Sequence, residues 1–277
     1  MNETIPSSVL ASGCEMPLLG LGLFKISDSQ TMNTAVRSAL DSGLRLFDTA
    51  SAYGNEELLG DALASSGVPR GELFVTTKIW NNAQRLGDTA GAFHRSLKRL
   101  RLEYLDLYLI HWPIAGCSVR TWEEMIRLKE SGLVRSIGVS NFDSAQLEML
   151  HQETGVFPDV NQIEYHPLWD RKSLADYCRS RGIAVQAYAP LARGAYLNRL
   201  PLEHLAKKYD KTPAQIGLRY LVQMDISAIP RSECPDRIAE NAAIFDFELT
   251  GAEIEMIRGL NEHLRVASIP EDIAGSF

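Results

Sequence analysis

The chain of 277 residues has a net charge of −7, with 45% hydrophobic and 23% charged residues. This composition is typical of a globular protein and excludes a disordered chain, a collagen and a coiled coil. The negative charge argues against a nucleic-acid partner, and no run approaches the roughly 20 apolar residues of a membrane helix. The first residues lack the basic and apolar regions of a secretory signal. Because the four cysteines form no C-x-x-C pair, we expect reduced thiols and a cytoplasmic protein.

Short β-rich runs alternate with longer helical segments along most of the chain. The eight predicted strands cover residues 18–24, 44–48, 73–80, 105–112, 134–140, 159–165, 183–189 and 225–230. This alternation implies parallel strands, and eight strand–helix units predict an α/β fold, a (β/α)8 TIM barrel forming a single domain over residues 1–277. A doubly wound sheet is the competing arrangement.

Three segments are predicted to lie outside the eight repeating units. A short hairpin around Ser12 and Gly13 precedes the first strand and is placed on the barrel floor. The long interval between the last two strands predicts an extra helix near residues 201–209, and residues 251–260 predict one more helix.

Polar residues gather where predicted strands end, which is where TIM barrels carry their sites. Asp48 and then Tyr53 follow the second strand, Lys78 ends the third and His111 ends the fourth. Separately, each has an ordinary interpretation: a helix cap, a half-buried aromatic, an exposed strand end or a core histidine. Together they complement one another, since Asp48 can neutralise a buried Lys78. The lysine charge is expected to lower the pKa of the tyrosine, which can then protonate a carbonyl oxygen that a neutral His111 orients.

The sequence shows no spacing typical of metal ligands, so we expect no metal. The four residues also include no evident Ser or Cys nucleophile and no source of electrons, so we expect a bound hydride donor to complete the site. Residues 18–25 contain only part of a dinucleotide glycine motif, because Lys25 stands at its third glycine. Residues 229–241 offer a better anion site, a helix start with Ser232 and two arginines, although a capped helix with surface arginines is the ordinary interpretation.

Six segments together resemble the aldo-keto reductase family, and they span essentially the whole chain. They are GLRLFDTASAYGNEELLG (43–60), TTKIW (76–80), LYLIHWP (107–113), LVRSIGVSNF (133–142), VNQIEYHP (160–167) and IPRS with RIAEN (229–241). The compact length resembles microbial reductases of 2,5-diketogluconate and methylglyoxal and protozoan prostaglandin F synthases. The resemblance implies a barrel that binds NADPH or NADP+ and reduces aldehydes or ketones to alcohols. It makes Tyr53 the proton donor, Lys78 and Asp48 its tuning pair, and His111 the group that orients the substrate.

The resemblance also assigns contacts to the ligands. Tyr188 is expected to stack on the nicotinamide, and Arg237 is expected to read the 2′-phosphate. The implied cofactor contacts are Gly22, Leu23, Lys25, Asp48, Ser140, Asn141, Gln162, Tyr188, Pro190, Leu191, Arg231, Ser232, Arg237, Glu240 and Asn241. The implied substrate contacts are Phe24, Tyr53, Trp80, His111 and Trp112.

Two other functions remain open on the sequence. The same fold can serve as a redox-sensing regulatory subunit with little turnover, and an unrelated TIM-barrel hydrolase or lyase can use Lys78 as a Schiff-base nucleophile. The resemblance also implies an open, permissive site, because the connection after His111 and the tail after Leu264, which shape the pocket in larger members of the family, are short here. We expect a monomer whose partner is a small carbonyl compound, with no nucleic acid and no membrane.

Overall fold

A short hairpin closes the floor of the molecule in the computed structural model, which describes residues 5–276. Strands β1 (Ser7–Val9) and β2 (Glu15–Pro17) pair antiparallel across a turn in which Gly13 has a positive φ of 82°. Met16 of this hairpin is fully buried and packs into an apolar cluster inside the barrel. The predicted hairpin is therefore confirmed, and it plugs the end of the barrel at which the strands begin.

Eight parallel strands form the barrel wall. They are β3 (Gly20–Gly22), β4 (Leu46–Asp48), β5 (Phe74–Ile79), β6 (Leu105–Ile110), β7 (Val134–Ser140), β8 (Val160–Glu164), β9 (Ala184–Tyr188) and β10 (Ile226–Ile229). Each pairs in parallel with the next, and bridges from Leu19 to Ala228 and from Gly22 to Arg231 join the last strand to the first. The predicted TIM barrel is confirmed and the doubly wound alternative is wrong, because strand order follows chain order without a reversal.

Helices surround the strands. They are α1 (Ser29–Asp41), α2 (Glu56–Ser65), α3 (Asn81–Leu86), α4 (Thr89–Leu100), α5 (Ser118–Glu130), α6 (Ser144–Thr154), α7 (Lys172–Ser180), α8 (Leu200–Tyr209), α9 (Pro213–Gln223), α10 (Pro235–Ala242) and α11 (Gly251–Arg258). Local signals fix several starts: Asp143 and Gln146 form a capping box before α6, and Asp28 caps α1. Helices α8 and α11 are the two additional helices that the sequence predicts.

The strands are buried on both faces, and alternate residues serve two separate cores. In β6, Tyr108 and Ile110 pack outward against the helices, whereas Leu107 and Leu109 point into the barrel. This double burial explains the apolar composition of the strands. It also leaves the strand ends as the place where polar side chains converge.

The four cysteines are unpaired, as the sequence predicts. Within residues 5–276, no helix has both the length and the apolar character that crossing a bilayer requires.

Candidate active site

A buried ion pair lies at the C-terminal ends of two neighbouring strands. Asp48 ends β4 and Lys78 lies near the end of β5, so the pairing of these strands brings the two side chains together. The Lys78 Nζ donates to Asp48 Oδ1 at 2.5 Å and to the carbonyl oxygen of Thr49 at 2.8 Å. Lys78 is 0% exposed and Asp48 3% exposed. The structure thus places the predicted counter-ion against the predicted lysine.

Each member of this pair opposes the effect of burial on the pKa of the other. Burial raises the pKa of Asp48, and the Lys78 ammonium opposes that rise; burial likewise lowers the pKa of Lys78, and the carboxylate opposes it. Gln162 supports the carboxylate by donating to Asp48 Oδ2 at 2.7 Å, and its amide also donates to Gln186 at 2.6 Å. The Asp48 carboxylate is therefore held by Lys78 of β5 and, across the barrel, by Gln162 of β8.

Tyr53 lies over this pair on a short turn of 3₁₀ helix, Ser51–Tyr53, that follows β4. Ser51 fastens the turn to β5 by donating from its hydroxyl to the Lys78 carbonyl oxygen at 2.8 Å. The Lys78 Nζ lies 5.2 Å from the centroid of the Tyr53 ring. The rings of Phe24 and His111 lie 5.0 and 5.7 Å from it. The predicted catalytic set is thus assembled around one half-buried phenol.

The expected lowering of the Tyr53 pKa is wrong for the protein alone. Burial raises the pKa of Tyr53 well above its ordinary value, and the negative charge of Asp48 raises it further. The physical reason is the loss of solvation in this buried position; the Lys78 charge does not offset it, because Lys78 is paired with Asp48 and faces the ring of the phenol. The hydroxyl is consequently protonated throughout the neutral range, which suits a proton donor rather than a base.

His111 follows β6 and is buried as a neutral imidazole. Its ring stands edge-on to the rings of Trp80 and Tyr53, with 5.1 Å between the centroids of His111 and Trp80. Burial and the nearby Lys78 charge lower the pKa of His111 well below 6.5. An imidazolium needs an acceptor for each N–H, and the buried Nδ1 has no hydrogen-bond partner among the described residues.

We therefore expect no titration of His111 in the rate profile near pH 6.5. Because its pKa is lowered, the imidazole stays neutral as the pH falls from about 8 through the value of a free histidine. The measurement is kcat/KM for an aldehyde across this range, with His111→Gln as the comparator that cannot titrate. An inflection near pH 6.5 that is present in the natural protein and absent from the variant would contradict the assignment.

The residues predicted to hold a carboxamide form one wall of the site. The Asn141 amide donates to the His111 carbonyl oxygen and to Ser140 Oγ, each at 3.0 Å, and its oxygen accepts from the Tyr188 hydroxyl at 2.7 Å. Ser140 donates to the Gln162 carbonyl oxygen at 2.8 Å. Much of the hydrogen-bonding capacity of these side chains is used within the protein. Their contact with a nicotinamide stays a prediction.

The loop after β3 passes the mouth of the site and is fixed by a residue that the sequence reading missed. Asn55 is fully buried, donates to the carbonyl oxygens of Leu23 and Ile26 at 2.8 and 2.9 Å, and accepts from Thr49 Oγ1 at 2.6 Å. These bonds hold the loop that carries the exposed Phe24 against the turn that carries the phenol. In the sequence, Asn55 stands just before a predicted helix, and this position indicates a helix N-cap rather than a residue that fixes a distant loop.

The end of β3 and the loop after it carry three predicted cofactor contacts. Gly22 is buried, and a Cβ there would lie 2.9 Å from the Ile229 carbonyl oxygen, so a side chain does not fit. Leu23 is buried, whereas Lys25 is exposed with a φ of 65°. Of these three residues, only Lys25 is exposed.

Side chains that can bind a phosphate surround the start of α10. Arg237 is exposed in its first turn, and Ser232 lies just before the helix and accepts from the Cys234 N–H at 3.2 Å. Arg231 donates to the Phe24 carbonyl oxygen at 3.1 Å and forms an ion pair with Glu233. Two guanidinium groups, a hydroxyl and a helix start are the donors that a phosphate requires. The residues present thus fit a phosphate-bearing nucleotide.

The predicted adenine contacts are less open. Glu240 Oε1 accepts from Thr212 Oγ1 at 2.8 Å, and Asn241 is buried. Pro190 is also buried and its carbonyl oxygen accepts from Tyr196 at 3.0 Å, whereas Leu191 is half-buried. Contact between Glu240 and a base requires its carboxylate to leave Thr212 or to bind with its other oxygen.

The C-terminal tail packs against the predicted substrate wall. Trp112 is nearly buried and packs with Ile114 and Ile273, and Trp80 and Ile269 pack against the same cluster. Asp272 fixes this part of the tail through a 2.6 Å contact with the Arg85 guanidinium. The tail therefore crosses the mouth beside the two tryptophans, a feature that the sequence reading did not include.

Comparison with known proteins agrees with this geometry. The model of the "Aldo/keto reductase family" matches residues 18–262. A glyoxal reductase of Bacillus subtilis is 43% identical over 95% of this chain and 96% of its own, and the methylglyoxal reductase DkgA of Salmonella typhimurium is 43% identical over 96% and 97%. The crystal structure of a Bombyx mori aldo-keto reductase in complex with NADP superposes with a TM-score of 0.91 at 37% identity, covering 98% and 97% of the two chains. In this chain a barrel carries a buried lysine–aspartate pair under a tyrosine, with a neutral histidine beside it. The chain belongs to the aldo/keto reductase family.

Proposed function

We propose that this protein reduces small aldehydes and ketones, including α-dicarbonyl compounds such as glyoxal and methylglyoxal, with NADPH as the reductant. The observation that carries the proposal is the Asp48–Lys78 pair buried beneath Tyr53, with a neutral His111 against the same phenol. Relatives named for glyoxal and methylglyoxal reduction support the substrate class. The phosphate-binding character around Arg237 and a neighbour solved with NADP support the cofactor.

Each residue then has a defined task. A nicotinamide cofactor, when bound, would provide the hydride that the carbonyl carbon receives. Tyr53 donates its hydroxyl proton to the carbonyl oxygen, and the Lys78 ammonium stabilises the phenolate that remains. The neutral His111 donates a hydrogen bond that orients the same oxygen. The aromatic rings of Phe24 and Trp80 stand beside Tyr53 and His111 and offer apolar surface to the substrate.

The direct test is a steady-state assay of NADPH oxidation with methylglyoxal, glyoxal and 4-nitrobenzaldehyde. We expect turnover with all three and a return of NADP+ to NADPH with the corresponding alcohols. Failure to turn over a broad aldehyde panel would refute the proposal. Very slow turnover with a tightly retained nucleotide would favour the regulatory alternative instead.

The geometry disfavours a Schiff base on Lys78. Such a nucleophile must be a neutral amine open to a substrate, whereas this ammonium is 0% exposed and donates to Asp48 and to the Thr49 carbonyl oxygen. Borohydride treatment in the presence of an aldehyde is expected to leave Lys78 unmodified.

Preference for NADPH over NADH is expected to depend on Arg237. This exposed guanidinium is proposed to contact the 2′-phosphate, and a hydrogen bond to a charged group contributes about 1.5–3 kcal/mol. Arg237→Ala should therefore raise KM for NADPH by about 10- to 100-fold and leave KM for NADH nearly unchanged. Steady-state kinetics with both cofactors provide the measurement, with Arg237→Lys as the variant that keeps the charge. Equal losses with NADPH and NADH would show that the 2′-phosphate is not bound there.

A further inference from the structure

A buried carboxylate at the end of β8 holds the start of the C-terminal tail. Glu164 is 2% exposed, and its Oε1 accepts from the Val266 N–H at 2.6 Å and faces His166 Nε2 at 3.0 Å. Its Oε2 accepts from the Ala267 N–H at 3.1 Å and lies 3.6 Å from the Arg265 Nε. One side chain therefore fixes three consecutive tail residues that lie about one hundred positions away along the chain.

The held segment reaches the cofactor wall through Arg265. Arg265, Tyr188 and Asn141 line the same cavity of about 90 Å³, and the Arg265 charge opposes the rise in the Tyr188 pKa that burial causes. The Tyr188 hydroxyl donates to Asn141, and Asn141 donates to the His111 carbonyl oxygen. Arg265 thus lies beside a set of hydrogen bonds that runs from Tyr188 to His111.

Two guanidinium groups and two carboxylates line this cavity. Arg171 lines the cavity beside Arg265, and burial together with the neighbouring guanidinium lowers the pKa of Arg171. Asp143 and Glu164 are the carboxylates that line the cavity; Glu164 attracts Arg171 and lies 3.6 Å from the Arg265 Nε. With a neutral residue at position 164, two half-buried guanidinium groups repel each other across a small volume, and the tail loses its anchor.

We propose that Glu164 is a positioning residue: by fixing residues 265–267, it holds Arg265 against the Tyr188 hydroxyl and so sets the ring assigned to the nicotinamide face. This role rests on the proposed function, because it is a role toward the bound cofactor. It also gives the tail a task at the cofactor as well as beside the tryptophans.

Glu164→Gln is the first variant, because its amide offers one acceptor where the tail presents two backbone N–H groups. We expect KM and Kd for NADPH to rise about tenfold, with a smaller change in KM for methylglyoxal. Arg265→Ala, which changes a half-exposed tail residue, should reproduce the rise in Kd. The double variant should be no worse than Glu164→Gln alone, since residues that act through one another are not additive. Arg265→Lys should recover part of the affinity.

Asp272→Asn is the matched control, because it loosens the tail at Arg85 and leaves Glu164 intact. It should leave Kd for NADPH unchanged. Kd is read by quenching of protein fluorescence and does not depend on turnover, so a failure of this inference is distinct from a failure of the proposed reaction. If Glu164→Gln and Arg265→Ala both bind NADPH as the natural protein does, or if their effects add, the positioning role is wrong. Should Glu164→Gln not fold, Arg265→Ala decides the matter alone.

Discussion

Replacing Tyr53 with phenylalanine is expected to lower kcat for aldehyde reduction by about 10²- to 10⁴-fold, the usual contribution of a positioned general acid. The ring, its contacts with Phe24 and His111 and its place over Lys78 all remain, since only the hydroxyl oxygen is removed. The affinity for NADPH should therefore change little. Because burial keeps the phenol protonated in the neutral range, the loss should be similar across that range.

The measurement pairs single-turnover kinetics with a fluorescence titration of NADPH. Tyr104→Phe provides a control for the loss of a phenol elsewhere, since Tyr104 lies against Arg70 on the outside of the barrel. Full activity in Tyr53→Phe would show that another group donates the proton. A loss of NADPH binding that parallels the loss of activity would assign Tyr53 to cofactor binding instead.

Removing the lysine charge is expected to produce the largest change in stability. Lys78→Met leaves Asp48 buried without its counter-ion, and breaking a buried pair in this way costs about 3–5 kcal/mol. The double variant Asp48→Asn with Lys78→Met has no unpaired charge, so it should recover much of the lost free energy of unfolding. Lys78→Met and the double variant should both lack reductase activity. Urea unfolding of Lys78→Met, Asp48→Asn, the double variant and the natural protein gives the comparison.

The pH dependence of the Lys78→Met variant has a defined sign. Burial raises the pKa of Asp48 in the folded state above its unfolded value. Without the lysine, the folded state holds a proton that the unfolded state releases, so stability is retained below the unfolded pKa and is lost as the pH rises through the folded pKa. The deficit relative to the natural protein should consequently be smaller near pH 4 than near pH 8. An equal deficit at both values would mean that Asp48 stays ionised or reaches water.

The barrel could be predicted from the sequence because its signals are local and repeated. Each strand is a short apolar run, and each is followed by a helix with recognisable ends, such as the capping box at Asp143. The ion pair could be anticipated as well, since the ends of neighbouring parallel strands must meet. Asp48 and Lys78 therefore had to be close once β4 and β5 were assigned.

The remaining features depend on contacts between residues that are distant along the chain. Nothing next to Asn55 indicates that its amide binds two carbonyl oxygens more than twenty positions earlier. Likewise, Glu164 lies within a recognised motif, yet its partners are backbone N–H groups of the tail. The prediction of a lowered Tyr53 pKa is wrong for a related reason: the direction of the shift depends first on how deeply the phenol is buried and then on the nearby charge of Asp48, and both depend on the folded structure.

The β1–β2 hairpin and the tail around Ile273 lie at opposite ends of the barrel, and this has a practical consequence for handling the protein. The hairpin that contains Met16 occupies the floor, whereas the tail around Ile273 crosses beside the tryptophans. A fusion partner or a surface linker placed ahead of the hairpin points away from incoming reagents. The same addition behind the tail lies near the mouth of the active site. There it hinders the entry of substrate and strains the Asp272–Arg85 contact.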